Sequence, residues 1–316
     1  MEQYLAHIEE ALRKINLPDA PEKLYQPIRY TLDLGGKRVR PFLVLLAYQI
    51  FQKDVEKALP LALAIELFHN FTLLHDDVMD NAPLRRGKPT VHAHWNRDVA
   101  ILSGDALMIL AYQELAKIQH PDLAAMLGFF NEIALAVCEG QQMDMDFETQ
   151  QAVSIAEYME MIRKKTAVLV GASLKMGAWL AGANTQEQNT LYKLGEDMGL
   201  AFQLQDDYLD VFGKAGFGKE IGGDILAHKK TFLLLSLQAK IGQNALNTLL
   251  EQPYASPQEK IATLRKAYEA QETDKANLAQ VAQYSQEALQ ALQHLPKNQA
   301  SQWLENFIQQ LLEREK

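Results

Sequence analysis

The chain has 316 residues, enough for one large domain or two small ones with a sizeable buried core. Its net charge of -9 argues against nucleic acid as a partner, because neutralising a phosphate backbone needs an excess of Lys and Arg. The lone cysteine, Cys138, excludes an intrachain disulfide and suits a reducing, cytoplasmic setting.

The first ten residues are acidic and amphipathic, unlike a signal peptide. Residues 2–16 place Leu5, Ile8, Leu12 and Ile15 at helical spacing, and Pro18 and Pro21 end that helix. A second helix is predicted over 21–33, stopping at Gly35-Gly36. Lys37-Arg38-Val39-Arg40 follows, with Pro41 suited to the first turn of the next helix. The longest charge-free apolar run, 41–52, is too short to cross a bilayer, so no transmembrane segment is expected. A long helix is predicted from about 55 to 80. Residues 81–94, with Pro83, Gly87 and Pro89, have the composition of a turn. Helices are then predicted from there to about 118, over 121–147, over 155–182 with the small residues Gly171, Ala172, Ser173, Gly177 and Ala178, and over 186–212. Residues 213–223 hold Gly213, Gly216, Gly218, Gly222 and Gly223 around Lys219, and 228–315 read as four or five amphipathic helices. No stretch alternates like a strand. The expectation is an all-α, single-domain bundle of ten or more helices around a central cleft, one domain over 1–316.

Two stretches carry the chemistry. Asp76, Asp77 and Asp80 stand at i, i+1 and i+4 in an apolar helix, and Asp206, Asp207 and Asp210 repeat that spacing. Residues four apart share a helix face. Paired carboxylates among Leu and Phe repel one another and resist burial, which calls for a cation. Mg2+ fits, because it takes few carboxylates and shares its shell with substrate phosphates. The cations in the sequence fall into three groups: Lys37 with Arg40, Arg85 with Arg86, and Lys165, Lys219 and Lys229. These exceed the needs of one diphosphate, so two anionic substrates are expected, one held through metal and one by side chains alone.

Gly35-Gly36-Lys37-Arg38-Val39-Arg40-Pro41, the first Asp cluster with Arg85-Arg86, Lys165-Thr166, Phe202-Gln203 with the second Asp cluster, and Gly218-Lys219 with Lys229 together resemble the trans-isoprenyl diphosphate synthases. The motifs run in family order from about residue 35 to 231. The resemblance implies Mg2+-dependent head-to-tail (1′-4) condensation of isopentenyl diphosphate with an allylic diphosphate (dimethylallyl, geranyl or farnesyl). Three Mg2+ ions would be held by the two clusters, with Asp76, Asp80 and Asp206 as principal ligands and Asp77, Asp207 and Asp210 beside them. Arg85, Lys165, Lys219 and Lys229 would bind the allylic diphosphate. Lys37, Arg40, His69 and Arg86 would bind isopentenyl diphosphate, and Thr166 and Gln203 would line the reacting carbon. The resemblance also implies a homodimer and closure of the glycine stretch over bound diphosphate.

Other polar and aromatic residues have plainer readings. His92 and His94 suit polar packing, Asp144 and Asp146 a solvated helix end, and Cys138 a small core position. Phe68, Phe71, Phe129 and Phe130 suit a core. Phe71 lies five residues before Asp76, about 7.5 Å back along the helix. In the resembling family a bulky aromatic there blocks the growing tail. With Phe68 and the small Thr72 beside it, Phe71 predicts a short product of C15 to C20, C20 being favoured. Three competing functions are a class I terpene cyclase, a medium-chain polyprenyl synthase and a non-catalytic partner subunit. The second Asp cluster with Lys37 and Arg40 argues against the first, and the intact clusters argue against the last.

Overall fold

The computed structural model describes residues 2–213 and 221–312. In chain order its elements are α1 (Glu2–Arg13), α2 (Glu22–Asp33), α3 (Val39–Phe51), a 3-10 turn (Val55–Ala58) leading into α4 (Leu59–Met79), a short hairpin of β1 (Leu84–Arg85) and β2 (Lys88–Pro89), α5 (Val91–His94), α6 (Arg97–Leu115), α7 (Leu123–Thr149), α8 (Ile155–Ile162), a π turn (Arg163–Ala167), α9 (Val168–Leu180), α10 (Thr185–Phe212), α11 (Gly223–Leu226), α12 (Phe232–Ile241), α13 (Gln243–Glu251), α14 (Pro257–Ala270), α15 (Thr273–Leu292) and α16 (Gln299–Leu312). Among the described residues the chain is all-α apart from the hairpin.

The chain divides into two compact units. The first takes residues up to 131 with 172–192 and 294–304, and the second takes 132–171, 193–293 and the residues from 305. In the first unit α4 is the central element, packed against α1, α3 and α6. Its apolar residues from Leu61 to Phe68 are buried all round the helix rather than along one stripe, as befits a core helix. Pro60 stands in its first turn, where no backbone N–H is needed. Gly177 permits the close packing expected of the small-residue run, since a Cβ there would fall 2.4 Å from the carbonyl oxygen of Val44. In the second unit α12 packs against α8, α13, α14 and α15. A capping box of Ser154 and Glu157 opens α8.

The structure differs from the sequence reading in several respects. Residues 155–182 are not one uninterrupted helix: Val168 N–H bonds the carbonyl of Arg163, five residues back, which makes the π turn. The turn segment holds a true antiparallel hairpin, pairing Leu84 with Pro89 and Arg85 with Lys88. Cys138 is exposed, because it falls on the outer face of α7 rather than in a core. Two helices are also long and apolar enough to span a bilayer by composition, residues 55–79 and α7. The former is 61% buried and serves as core, whereas α7 is 33% buried and leaves Leu135 65% exposed.

Candidate active site

Both acidic clusters stand at the C-terminal ends of their helices. The helix dipole already concentrates negative charge there, so carboxylates add to it and a cation is favoured. In α4, Asp76 is half-buried, Asp77 is buried and Asp80 is exposed at the C-cap. Arg85 clamps Asp77: its Nε lies 2.8 Å from both carboxylate oxygens and its Nη2 2.7 Å from Oδ1. Nη2 also lies 3.4 Å from Asp76. Burial pushes the Asp77 carboxyl up, and Arg85 pulls against it. Both oxygens of Asp77 are thus engaged by Arg85.

The hairpin aims two neighbouring arginines apart. Arg86 and Gly87 both have positive φ, 54° and 75°, the signature of a tight two-residue hairpin turn. Arg85 falls back on Asp77, while the Arg86 guanidinium lies against Gly36, where a Cβ would meet Nη2 at 2.8 Å. Gly36 directly precedes Lys37. Arg40 Nη1 is 3.2 Å from His69 Nε2, and because a guanidinium only donates, His69 accepts there. Burial, followed by Arg40, Arg86, Arg85 and Arg38, holds the His69 imidazole well below its ordinary pKa, so it stays neutral. Arg40 Nε is buried with no hydrogen-bond partner among the described residues. Lys37 is exposed. The first unit therefore gathers Arg40, His69 and Arg86 around the glycine turn that carries Lys37, an anion site in character.

Arg38, between Lys37 and Arg40 in the sequence, has another task. Its side chain is 1% exposed, with Nε 2.7 Å from Glu9, Nη1 2.6 Å from Glu66 and Nη2 2.7 Å from the Leu32 carbonyl. Its backbone is left-handed at φ 46°, a strained conformation that these three bonds hold. The chain is thereby turned between Lys37 and Arg40.

In the second unit, Asp206 and Asp210 are half-buried on α10 and Asp207 is buried. Asp207 accepts from the Tyr158 hydroxyl and, at 3.0 Å, from Gln203 Nε2. Thr166 Oγ1 in turn donates to Gln203 Oε1 at 3.1 Å. This chain fixes which end of the Gln203 amide faces Thr166. Burial, with Asp224 adding to it, pushes the Asp207 carboxyl up to about 7. Asp207, like Asp77, is the buried member of its cluster and is bonded to protein. Asp210 Oδ2 accepts from the Asp224 N–H at 3.0 Å at the start of α11.

Lys165 and Lys229 come together on one carboxylate. Asp144 Oδ2 lies 2.6 Å from Lys165 Nζ and 3.9 Å from Lys229 Nζ. Asp144 is thus no solvated helix end, with its side chain only 16% exposed. Burial pushes its carboxyl up, but Lys229 and Lys165 outweigh that and hold it below the usual range. Asp146 is exposed, as expected, and accepts from Gln142 at 2.8 Å. Lys219, with Gly216 and Gly218, lies outside the described residues.

His92 hydrogen-bonds Thr90 and His94 stacks on Tyr30, in keeping with polar packing. Phe71 is half-buried, with ring centroids 5.6 Å from Phe68 and 4.8 Å from His75. Phe68 meets Phe130 at 5.2 Å, and both are buried core. Thr72 bonds back to the His69 carbonyl at 2.8 Å.

Among the described residues, no three His, Cys, Asp or Glu side chains gather into a ready-made metal cage. Each cluster offers only oxygen donors, with two aspartates one turn apart beside a buried third, Asp77 or Asp207. That donor set fits Mg2+ completed by ligand phosphates and does not suit a thiolate- or imidazole-seeking metal.

The sequence matches the polyprenyl synthetase family over residues 21–271. The chain belongs to this family. It is 41% identical over 249 residues to a short chain isoprenyl diphosphate synthase of Methanocaldococcus jannaschii, covering 78% of this chain and 75% of that protein. To a geranylgeranyl diphosphate synthase of Methanosarcina mazei it is 39% identical, covering 73% and 72%. A solved geranylgeranyl pyrophosphate synthase superposes with a TM-score of 0.94 at 41% identity, covering 100% of this chain and 99% of that one. One from Pyrococcus horikoshii Ot3 gives 0.92 at 33%, covering 99% of each chain. As a polyprenyl synthetase family member, this chain is an enzyme, a prenyltransferase.

Proposed function

We propose that this prenyltransferase joins isopentenyl diphosphate head-to-tail (1′-4) to an allylic diphosphate, releasing diphosphate and an all-trans short-chain prenyl diphosphate. The observation that carries this reading is the cluster of cationic side chains in the first unit. Arg40, with a buried Nε still to be bonded, neutral His69 and Arg86 surround the Lys37 turn, apart from the Asp-rich helix end. A class I cyclase handles one metal-bound diphosphate and has no use for a second anion site.

Asp76, Asp80, Asp206 and Asp210 are the residues that would hold Mg2+. Bound there, the metal would neutralise charge that develops on the departing allylic diphosphate. Asp77 and Asp207 serve differently, the one anchoring Arg85 and the other orienting Gln203. Lys165 and Lys229 add point charges to the allylic diphosphate, and Lys219 joins them. The C–O bond of the allylic substrate breaks and its cationic carbon is attacked by the double bond of isopentenyl diphosphate. Thr166 Oγ1 and Gln203 Oε1, hydrogen-bonded to each other at 3.1 Å, are neutral oxygens that would support positive charge at the reacting carbon. The new C–C bond leaves a proton to be lost, and the released diphosphate accepts it. His69 is neutral but bonded to Arg40, which suits a binding residue better than a base.

The chain-length reading gives a product of C15 to C20, stopped by Phe71 with Phe68 behind it. The relatives named as short-chain and geranylgeranyl synthases support it. The enzyme is read as a cytoplasmic homodimer. Arg40→Ala tests the division of substrates: it should raise KM for isopentenyl diphosphate about tenfold or more and leave KM for the allylic substrate unchanged. A rise confined to the allylic KM would reverse the assignment.

A further inference from the structure

Of three adjacent cations on the π turn, two pair with glutamates and the third turns to an aspartate of α7. Arg163 pairs with Glu160 at 2.7 Å and Glu196 at 3.0 Å. Lys164 pairs with Glu139 at 2.7 Å and lies 3.8 Å from Glu160. Lys165 alone reaches Asp144, on the same carboxylate oxygen that Lys229 approaches. An ordinary helix spaces three consecutive side chains about 100° apart. The extra residue of the π turn adds a local rotation, and such insertions tend to mark functional positions.

The turn is held from α7. A Cβ at Gly140 would lie 2.2 Å from Lys165 N, 2.7 Å from Lys165 Cα and 2.8 Å from the Lys164 carbonyl carbon. The backbone of the π turn therefore rests directly on Gly140, and no larger residue leaves room for it. Asp144 is four residues further along α7, on the same face. Gly140 thus sets where the Lys165 backbone lies, and Asp144 sets where its ammonium points.

We propose that Gly140 and Asp144 are positioning residues for the allylic diphosphate site: Gly140 seats the π turn, and Asp144 draws Lys165 and Lys229 towards one point so that the diphosphate meets two converged ammonium groups. The inference rests on the proposed diphosphate role of those lysines. Two ammonium groups brought together in a half-buried site repel each other, and without a shared carboxylate they spread or lose charge. Asp144 offsets that repulsion before substrate arrives, which lowers the ordering cost of binding. Thr166, inside the same turn, is carried to Gln203 by the same seating.

The test is steady-state kinetics with Mg2+, varying geranyl diphosphate at saturating isopentenyl diphosphate and then the reverse. Asp144→Asn keeps size and removes the charge. It should raise KM for geranyl diphosphate about tenfold or more while KM for isopentenyl diphosphate stays within about twofold. Asp144→Glu should recover part of the loss, which a purely structural role would not predict for a longer side chain. Gly140→Ala should lower kcat about tenfold, because it displaces Lys165 and Thr166 together. An Asp144→Asn enzyme with an unchanged or tighter geranyl diphosphate KM, or with both KM values rising in step, overturns the proposal. A wild-type enzyme that consumes neither diphosphate overturns the proposed function and this inference with it. An active wild type beside an indifferent Asp144→Asn variant removes this inference alone.

Discussion

Asp76 and Asp206 are half-buried carboxylates at helix C-termini, where the helix dipole disfavours added negative charge. Replacing either with Ala should leave the fold intact, or even stabilise the empty protein slightly, and lower kcat by about a hundredfold or more. Turnover measured beside a circular dichroism melt checks both halves, and a variant retaining most of its activity would remove that residue from the site. Arg38 is the opposite case. Arg38→Ala leaves Glu66, 4% exposed, without its counter-charge, and should cost about 3–5 kcal/mol in urea unfolding. A loss below 1 kcal/mol would mean the left-handed turn does not depend on that pair. The Asp clusters were legible in the sequence because charge inside an apolar helix stands out at once. The role of Arg38 was not, because Glu9 and Glu66 are 29 and 28 residues away and nothing local marks them as partners. The same holds for Asp144: polar composition near a helix end reads as solvated until the lysines it meets are located in space.

The helices themselves were legible from periodicity, and their boundaries fell within a few residues of expectation. The π turn was not, because the apolar pattern continues on both sides and only a shifted hydrogen bond marks it. The hairpin escaped for a similar reason, since two-residue strands cannot show alternation. Two predictions belong to this scale. On α4, the Phe71 ring packs on Phe68, which packs on Phe130. Phe71→Ala should therefore lengthen the product, while the buried rings behind it limit the gain to about one or two isoprene units. Product sizing checks this, and a product no longer than wild type would exclude Phe71 as the stop. On α10, burial raises the Asp197 carboxyl from 3.8 to about 6, despite Lys193 at 2.5 Å. The folded state then holds an extra proton between those values, so this residue's contribution to stability is fullest below about pH 4 and is lost as pH rises through 6. The difference in unfolding free energy between wild type and Asp197→Asn should fall from pH 4 to 6 and stay flat above 7. A difference independent of pH would contradict it.

At the scale of the whole molecule, α7 has surface to spare: its most apolar stretch is only 33% buried, with Leu135 and Cys138 exposed. A second copy of the chain is the expected cover, and sedimentation should give twice the 35.6 kDa mass of the single chain. A monomer at micromolar concentration would contradict that. The proposed function takes the Asp-rich helix end and the separate cluster of Arg40, His69 and Arg86 as the sites of two different substrates. The most direct test is to incubate wild-type protein with Mg2+, dimethylallyl diphosphate and labelled isopentenyl diphosphate, and to size the labelled products. The prediction is label in prenyl diphosphates of C15 to C20 with stoichiometric diphosphate release, abolished by EDTA. Allylic diphosphate consumed with no isopentenyl label in the product, or a main product of C35 or longer, would contradict it.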